Sequence, residues 1–256
     1  MRAPRIKTVP TWRKPRHAIT CAILAVGTVV AMMLYIDAWA AQVMLHPPYW
    51  LWFVFNEVTE FGRSGWFLWP MGGLIVAVAF LASPAGAYAD RAVLAMAGLR
   101  IGFLFLAIAL PSLFVTIIKR IIGRGRPLVG DEIDPFLFKQ LVWRPEYASL
   151  PSGHATTAFA AAIALGVLWP KLRGAMFIYA LLIALSRVVI DAHYVSDVLA
   201  GAIAGVVGAL LVRDGFAARR LVLTIDSNGK VAAMPGPSFA RIKSVARKLL
   251  APSLQW

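Results

Sequence analysis

Cysteine is almost missing from this chain: Cys21 stands alone among 256 residues. No intrachain disulfide can form, which excludes the disulfide-stapled class of small secreted domain. A lone thiol inside an apolar run reads as a small hydrophobe and says nothing about redox compartment. Acid is scarce as well, with 12 Asp and Glu against 26 Lys and Arg, giving a net charge of +14. Such an excess raises the question of nucleic acid. The basic residues cluster at the two ends and around three short polar blocks, however, and basic flanks beside apolar spans are the mark of cytoplasmic loops. For most of the chain no nucleic-acid partner is therefore expected. No internal repeat and no low-complexity tract is present. What abounds is apolar: 60% of the residues are hydrophobic, against about 45–50% in soluble domains, so the chain reads as a membrane protein.

A spanning helix needs about 20 apolar residues. Six segments meet or approach this: 18–45, 64–83, 92–118, 155–170, 174–190 and 195–213. The first is too long for a cleavable signal peptide and has no small-residue cleavage site. The break between the fourth and fifth rests on Pro170-Lys171-Leu172-Arg173-Gly174, a turn signal around two cations. The expected division is a basic arm at 1–17, a membrane domain at 18–213 and a tail at 214–256. With six spans both ends share one side. The arm carries Arg2, Arg5, Lys7, Arg13, Lys14 and Arg16, and the tail is basic too, so both ends are expected in the cytoplasm. The segments 46–63, 119–151 and 190–195 then face outward. The first of these, rich in Tyr and Trp, reads either as an interfacial or re-entrant helix flanking a site or as an aromatic belt. In the tail, Asn228-Gly229 between apolar runs signals a hairpin. Residues 238–251 read as a basic amphipathic helix lying on anionic lipid; the plainer alternative is a solvated tail.

The informative residues sit in three blocks: Lys119 through Arg126-Pro127, then Pro151-Ser152-Gly153-His154, then Ser186-Arg187 through His193 to Asp197. The chain has only four histidines, and two of them lie here. Ionisable groups beside membrane segments are costly and mark function. Lys119, Arg126 and Arg187 offer one ammonium and two guanidinium forks, the donor set that holds the oxygens of a phosphoryl group. Pro127 favours an extended Arg126, and Gly123 and Gly125 suggest a close approach of this loop to the site. Pro151 to His154 falls at a helix start, where free N–H groups make an anion site. Ser152 is placed to cap that helix and bond phosphate, Gly153 lets the backbone come near, and His154 is placed as a general acid. His193 and Asp197 are four apart, hence on one helical face. There the carboxylate fixes the imidazole tautomer and leaves the other ring nitrogen free to attack.

The pattern K-x6-RP, PSGH, SR-x5-H-x3-D resembles the type 2 phosphatidic acid phosphatase (PAP2) superfamily, which also includes the vanadium haloperoxidases. All three blocks match in order, and the resemblance spans roughly residues 95 to 213. It implies an all-α, six-transmembrane helical bundle of the PAP2 and vanadium haloperoxidase type, here with a small basic C-terminal tail. It also implies a membrane lipid phosphatase of a bacterial inner membrane. His193 would be the nucleophile forming a phosphohistidine, Asp197 its partner, and His154 the acid that later activates water. Lys119, Arg126, Arg187, Ser152 and Gly153 would bind phosphate.

No second carboxylate lies at a metal-ligand spacing and three cations share the site, so no metal and no cofactor is expected. The expected partners are the bilayer and a membrane lipid phosphate substrate. Undecaprenyl diphosphate, phosphatidylglycerol phosphate, phosphatidic acid and a lipid A phosphate all present the same terminal group. Phosphotransfer to a second lipid uses the same residues, and a non-catalytic anion carrier is the reading from another class. Oligomeric state is not legible. Three residues stand outside the pattern: Asp191, an acid beside a phosphate site, and the extra cations Arg120 and Arg124.

Overall fold

The structure is a computed structural model that describes residues 15–81, 88–130, 132–227 and 229–250. Most of the basic arm, together with Asp131 and the hairpin residue Asn228, lies outside the described residues. Among the described residues nine α-helices follow in order: α1 (Pro15–Tyr35), α2 (Asp37–Met44), α3 (Tyr49–Glu60), α4 (Gly65–Leu81), α5 (Tyr88–Ile122), α6 (Gly153–Leu168), α7 (Arg173–Val189), α8 (Val195–Ala218) and α9 (Phe239–Leu250). Strands β1 (Leu223–Ile225) and β2 (Val231–Ala233) pair antiparallel, with Leu223 opposite Ala233 and Ile225 opposite Val231.

Among the described residues five stretches are long and apolar enough to cross a bilayer: 16–35, 49–81, 88–122, 170–189 and 195–218. The protein is an integral membrane protein. The expected fourth span is α6, whose 16 residues rise only about 24 Å. It sits among α5, α7 and α8 and buries small residues around most of its circumference, from Ala155 through Ala164. Surrounded by protein, it does not need the full apolar length that a lipid-facing span requires.

Two expected boundaries move. The segment 18–45 is not one helix: it breaks at Ile36, and Asp37 opens α2 fully buried. The aromatic segment 46–63 forms α3, capped by Pro48 and linked to α4 by a short turn at residues 61–64. The expected break at 170–174 is present as a single 3-10 turn, Pro170–Leu172.

α5 is the spine. Its 35 residues reach about 52 Å at 1.5 Å each, well beyond an apolar bilayer core of about 30 Å. Its buried face runs Val93, Phe103, Leu104, Ala107, Ile108, Pro111 and Val115, three and four residues apart. α8 meets α6 almost backbone to backbone. A Cβ on Gly201 would stand 2.3 Å from the Ser152 carbonyl oxygen, and one on Gly205 would stand 2.3 Å from that of Thr156. This is the small-xxx-small device by which membrane helices pack closely. It registers the start of α6 against the start of α8, so the second and third motif blocks adjoin.

The tail is docked rather than free. Val222 and Leu223 are buried in the cluster that holds Phe103 and Ala217. Arg100 donates to the Met234 carbonyl, and Lys248 lies 3.2 Å from Asp90. The tail thus clasps the Asp90–Arg100 end of α5, whereas Lys119 occupies the other end.

Candidate active site

The site forms where the C-terminal ends of α5 and α7 meet the N-terminal ends of α6 and α8. Arg187 lies in the last turn of α7. Its carbonyl accepts from the backbone N–H of both Ala192 and His193, at 3.1 Å each. A turn with Asp191 at φ 51° reverses the chain and drops His193 just before α8. The Asp191 carboxyl is raised to about 6 by burial, opposed by His46. His46 is thus the charge that bears on this acid.

His193 and Asp197 are both buried. Nδ1 of His193 lies 3.7 Å from Oδ2 of Asp197, too long for a direct hydrogen bond. Ser149 stands between them. Its hydroxyl donates to Asp197 Oδ2 at 2.5 Å and lies 3.3 Å from His193 Nδ1. With its own proton given to the carboxylate, Ser149 presents a lone pair to the imidazole, which favours the Nδ1–H tautomer and leaves Nε2 unprotonated. Burial holds the His193 imidazole down at about 4, with Arg187 and Arg126 acting the same way against the pull of Asp197. At neutral pH His193 is therefore a neutral base with a free lone pair. Asp197 Oδ2 also accepts the Tyr194 N–H at 3.0 Å, so the carboxylate serves as helix cap and imidazole partner together.

The phosphate-binding candidates converge. Lys119 Nζ lies 3.3 Å from where a Cβ on Gly153 would stand, which explains a glycine there. Arg187, His193, Lys119 and Arg63 are all within electrostatic range of His154. Arg187 is steered by Thr59 at the end of α3, its Nη1 donating to Oγ1 at 2.6 Å. Burial pulls the Arg126 guanidinium below its ordinary value, with Glu146 and Asp197 opposing. Three buried polar atoms of this set have no hydrogen-bond partner among the described residues: Arg126 Nε, Arg187 Nε and Ser152 Oγ. Buried donors are normally satisfied, and these three are left for an acceptor-rich ligand.

Two expectations change. Ser152 is the N-cap of α6, but its hydroxyl makes no capping bond. Gly123 and Gly125 do not serve a close approach to the site. Gly123, at φ 65°, lets the Lys139 carbonyl come within 1.8 Å of where a Cβ would be, and Gly125 donates to Leu137 at 2.9 Å. The loop 123–126 pairs with segment 135–139.

Sequence reasoning missed Ser149, Thr59, Asp37 and the role of Arg124. Arg124 is wholly buried and bonds Asp197 Oδ1 at 2.6 Å and Asp37 Oδ2 at 2.8 Å. The signal available for Asp37 was an acid inside an apolar run. Ser149 offered none beyond its nearness to the second block. Among the described residues no three His, Cys, Asp or Glu side chains gather as a metal site.

The PAP2 superfamily profile matches residues 100–220. Over 127 residues the chain is 34% identical to a lipid A 1-phosphatase of Rhizobium johnstonii, covering 50% of this chain and 52% of that protein. It is 33% identical to one of Rhizobium etli, covering 50% and 55%. The chain thus spans about half the length of the curated relatives it matches. A crystal structure of a PAP2 type phosphatidylglycerolphosphate phosphatase from Bacillus subtilis shares the fold at TM-score 0.52 and 20% identity, over 77% of this chain and 94% of that one. LpxE from Aquifex aeolicus aligns at TM-score 0.47 and 22% identity, over 68% and 91%. The matched stretch contains all three motif blocks, and residues 100–220 carry the PAP2 superfamily match.

Proposed function

We propose that the protein hydrolyses a lipid phosphate at the outer face of a bacterial inner membrane, through a phosphohistidine on His193. The observation that carries the proposal is the buried His193–Ser149–Asp197 chain, together with the unpartnered buried donors of Arg126, Arg187 and Ser152. Lys119, Arg126 and Arg187 hold the non-bridging oxygens and spread their charge. His193 Nε2 attacks phosphorus in line, and the P–O bond to the lipid breaks as His154 gives its proton to the departing oxygen. Water then attacks phosphorus, His154 takes its proton, and the P–N bond breaks to release inorganic phosphate and restore neutral His193. The phosphate's own negative charge is what lets His154 carry a proton among so many cations. No step asks for a metal ion.

Lipid A carrying a 1-phosphate leads among substrates, because that is what the Rhizobium relatives are named for. Undecaprenyl diphosphate, phosphatidylglycerol phosphate and phosphatidic acid are the comparison substrates. The topology proposed is six spans with both termini cytoplasmic and the site periplasmic.

The test is phosphate release by purified protein in detergent with EDTA present, across these four lipids, beside His193→Ala. Release from lipid A that survives EDTA and falls by about 10^4 or more in the variant is expected, since the nucleophile itself is removed. Loss in EDTA with recovery on adding a divalent ion would sink the metal-free mechanism. Appearance of the phosphate on another lipid rather than as free phosphate would make the protein a transferase. No release and no transfer from folded protein would point to an anion carrier.

A further inference from the structure

Arg124 and Asp37 are both fully buried, and neither belongs to the pattern that defines the site. Arg124 Nε donates to the Pro135 carbonyl at 2.9 Å, Nη1 to Ser196 Oγ at 2.7 Å and Asp197 Oδ1 at 2.6 Å, and Nη2 to Asp37 Oδ2 at 2.8 Å. The Ser196 N–H donates to Asp37 Oδ1 at 2.9 Å, and its hydroxyl to Asp37 Oδ2. The Tyr194 ring lies 4.5 Å from the guanidinium. Asp37 opens α2 and lies outside the matched residues 100–220.

One guanidinium thus sits between two carboxylates. Were Arg124 paired with Asp197 alone, the pair would be neutral and little field would reach His193. Sharing Arg124 with Asp37 leaves one net negative charge in the cluster. The bonding pattern also aims it: Oδ1 of Asp197 is taken by Arg124, and Oδ2 is left to Ser149 and the His193 side. We propose that Asp37 and Arg124 are positioning residues that set the charge and orientation of Asp197, so that it stabilises the cationic imidazole formed when His193 is phosphorylated. The proposal rests on the reading of His193 as nucleophile.

The other groups facing His193 are Arg187 on α7, Arg126 from the loop after α5 and His154 on α6. All of them stay in place when Asp37 or Arg124 is changed. D37N removes a negative charge and R124Q a positive one, each one residue removed from His193 through Asp197. A unit charge at that range moves an imidazole by on the order of one pH unit. D37N is expected to shift the His193 titration down, and R124Q to shift it up. R124K keeps the charge, so it is expected to leave the titration in place while lowering kcat through loss of the fork.

The measurement is an NMR titration of histidine-labelled protein in detergent, with His193→Gln assigning the resonance, alongside kcat and KM for lipid phosphate. Opposite shifts, with kcat down about tenfold in D37N and KM little changed, are expected for a charge that acts mainly in the transition state. Shifts of the same sign, or none, would reduce the cluster to packing and overturn the proposal. If either D37N or R124Q fails to fold, the other is read against R124K by the same criterion. The titration does not need turnover. A wild-type protein that releases no phosphate therefore defeats the functional reading, while the sign of the shifts still decides this one.

Discussion

At the scale of single residues, the least expected finding is a hydroxyl between the imidazole and its carboxylate. His193 and Asp197 are four apart in sequence, yet 3.7 Å separates the nearest atoms and Ser149 fills the gap. S149A would leave His193 Nδ1–H without an acceptor and Asp197 Oδ2 short of a donor. Loss of one such oriented bond costs about 1–3 kcal/mol, so kcat is expected to fall by about tenfold to a hundredfold with KM nearly constant, in steady-state phosphate release. An unchanged kcat would show that Asp197 reaches His193 without the relay. The pH dependence follows from burial of the same imidazole. Burial brings it down from its ordinary 6.5 to about 4, so folding favours the neutral form. The stability this group contributes is present above about 6.5 and is lost as pH falls toward 4. The acid limb of kcat/KM is likewise expected near pH 4 if His193 attacks as proposed, and a limb at 6 to 7 would mean that burial does not govern the reacting imidazole. The motif residues were legible in sequence because chemistry needs rare ionisable types, and in an apolar chain these stand out. Ser149, Arg124 and Asp37 were not, because their partnerships join residues 48, 73 and 159 positions apart, and nothing local announces them.

At the scale of elements, the site depends on how closely α8 approaches α6. Gly201 faces the Ser152 carbonyl and Gly205 that of Thr156. Substitution of Gly201 by Val would force the start of α6, with Ser152 and His154, away from the start of α8, with Asp197. Overpacking costs typically 1–3 kcal/mol, and sub-ångström misplacement of reacting groups costs rate as well. G201V is therefore expected to lower both the melting temperature in detergent and kcat, the latter by about a hundredfold or more. Gly174, at the start of α7, has nothing within 4 Å of a Cβ, and G174A is the matched control, expected to leave both unchanged. Equal behaviour of the two variants would remove the close helix contact from the account. Helix existence was readable from apolar runs. The short α6 was readable too, but not why shortness is tolerated, since that follows from its enclosure by α5, α7 and α8. The break before Asp37 escaped notice because apolar residues continue on both sides, and hydropathy reports composition rather than the buried ion pair that fixes the turn.

At the scale of the whole molecule, α5 measures the distance between two differently built ends. Arg100 and Asp90 hold the tail, and Lys119 enters the site. The 19 positions from Arg100 to Lys119 rise about 28 Å, close to the thickness of the apolar bilayer core. The tail and the site therefore sit at opposite membrane surfaces. Basic residues favour the cytoplasmic side, and the tail brings Arg241, Lys243, Arg247 and Lys248 to its own end of α5 on α9. On the proposed topology the site end faces outward, toward the lipid headgroups of the outer leaflet. This orientation is tested by cysteine labelling in a Cys21→Ser background, which removes the chain's single thiol. Leu128→Cys, exposed in the loop beside Arg126, is expected to react with a membrane-impermeant maleimide in spheroplasts. Lys230→Cys, exposed between the tail strands, is expected to react only after the membrane is opened. The reverse pattern would place the site inside and assign the protein a substrate of the cytoplasmic leaflet. Reaction of both in intact spheroplasts would mean that the tail and the site share one surface, against the length of α5.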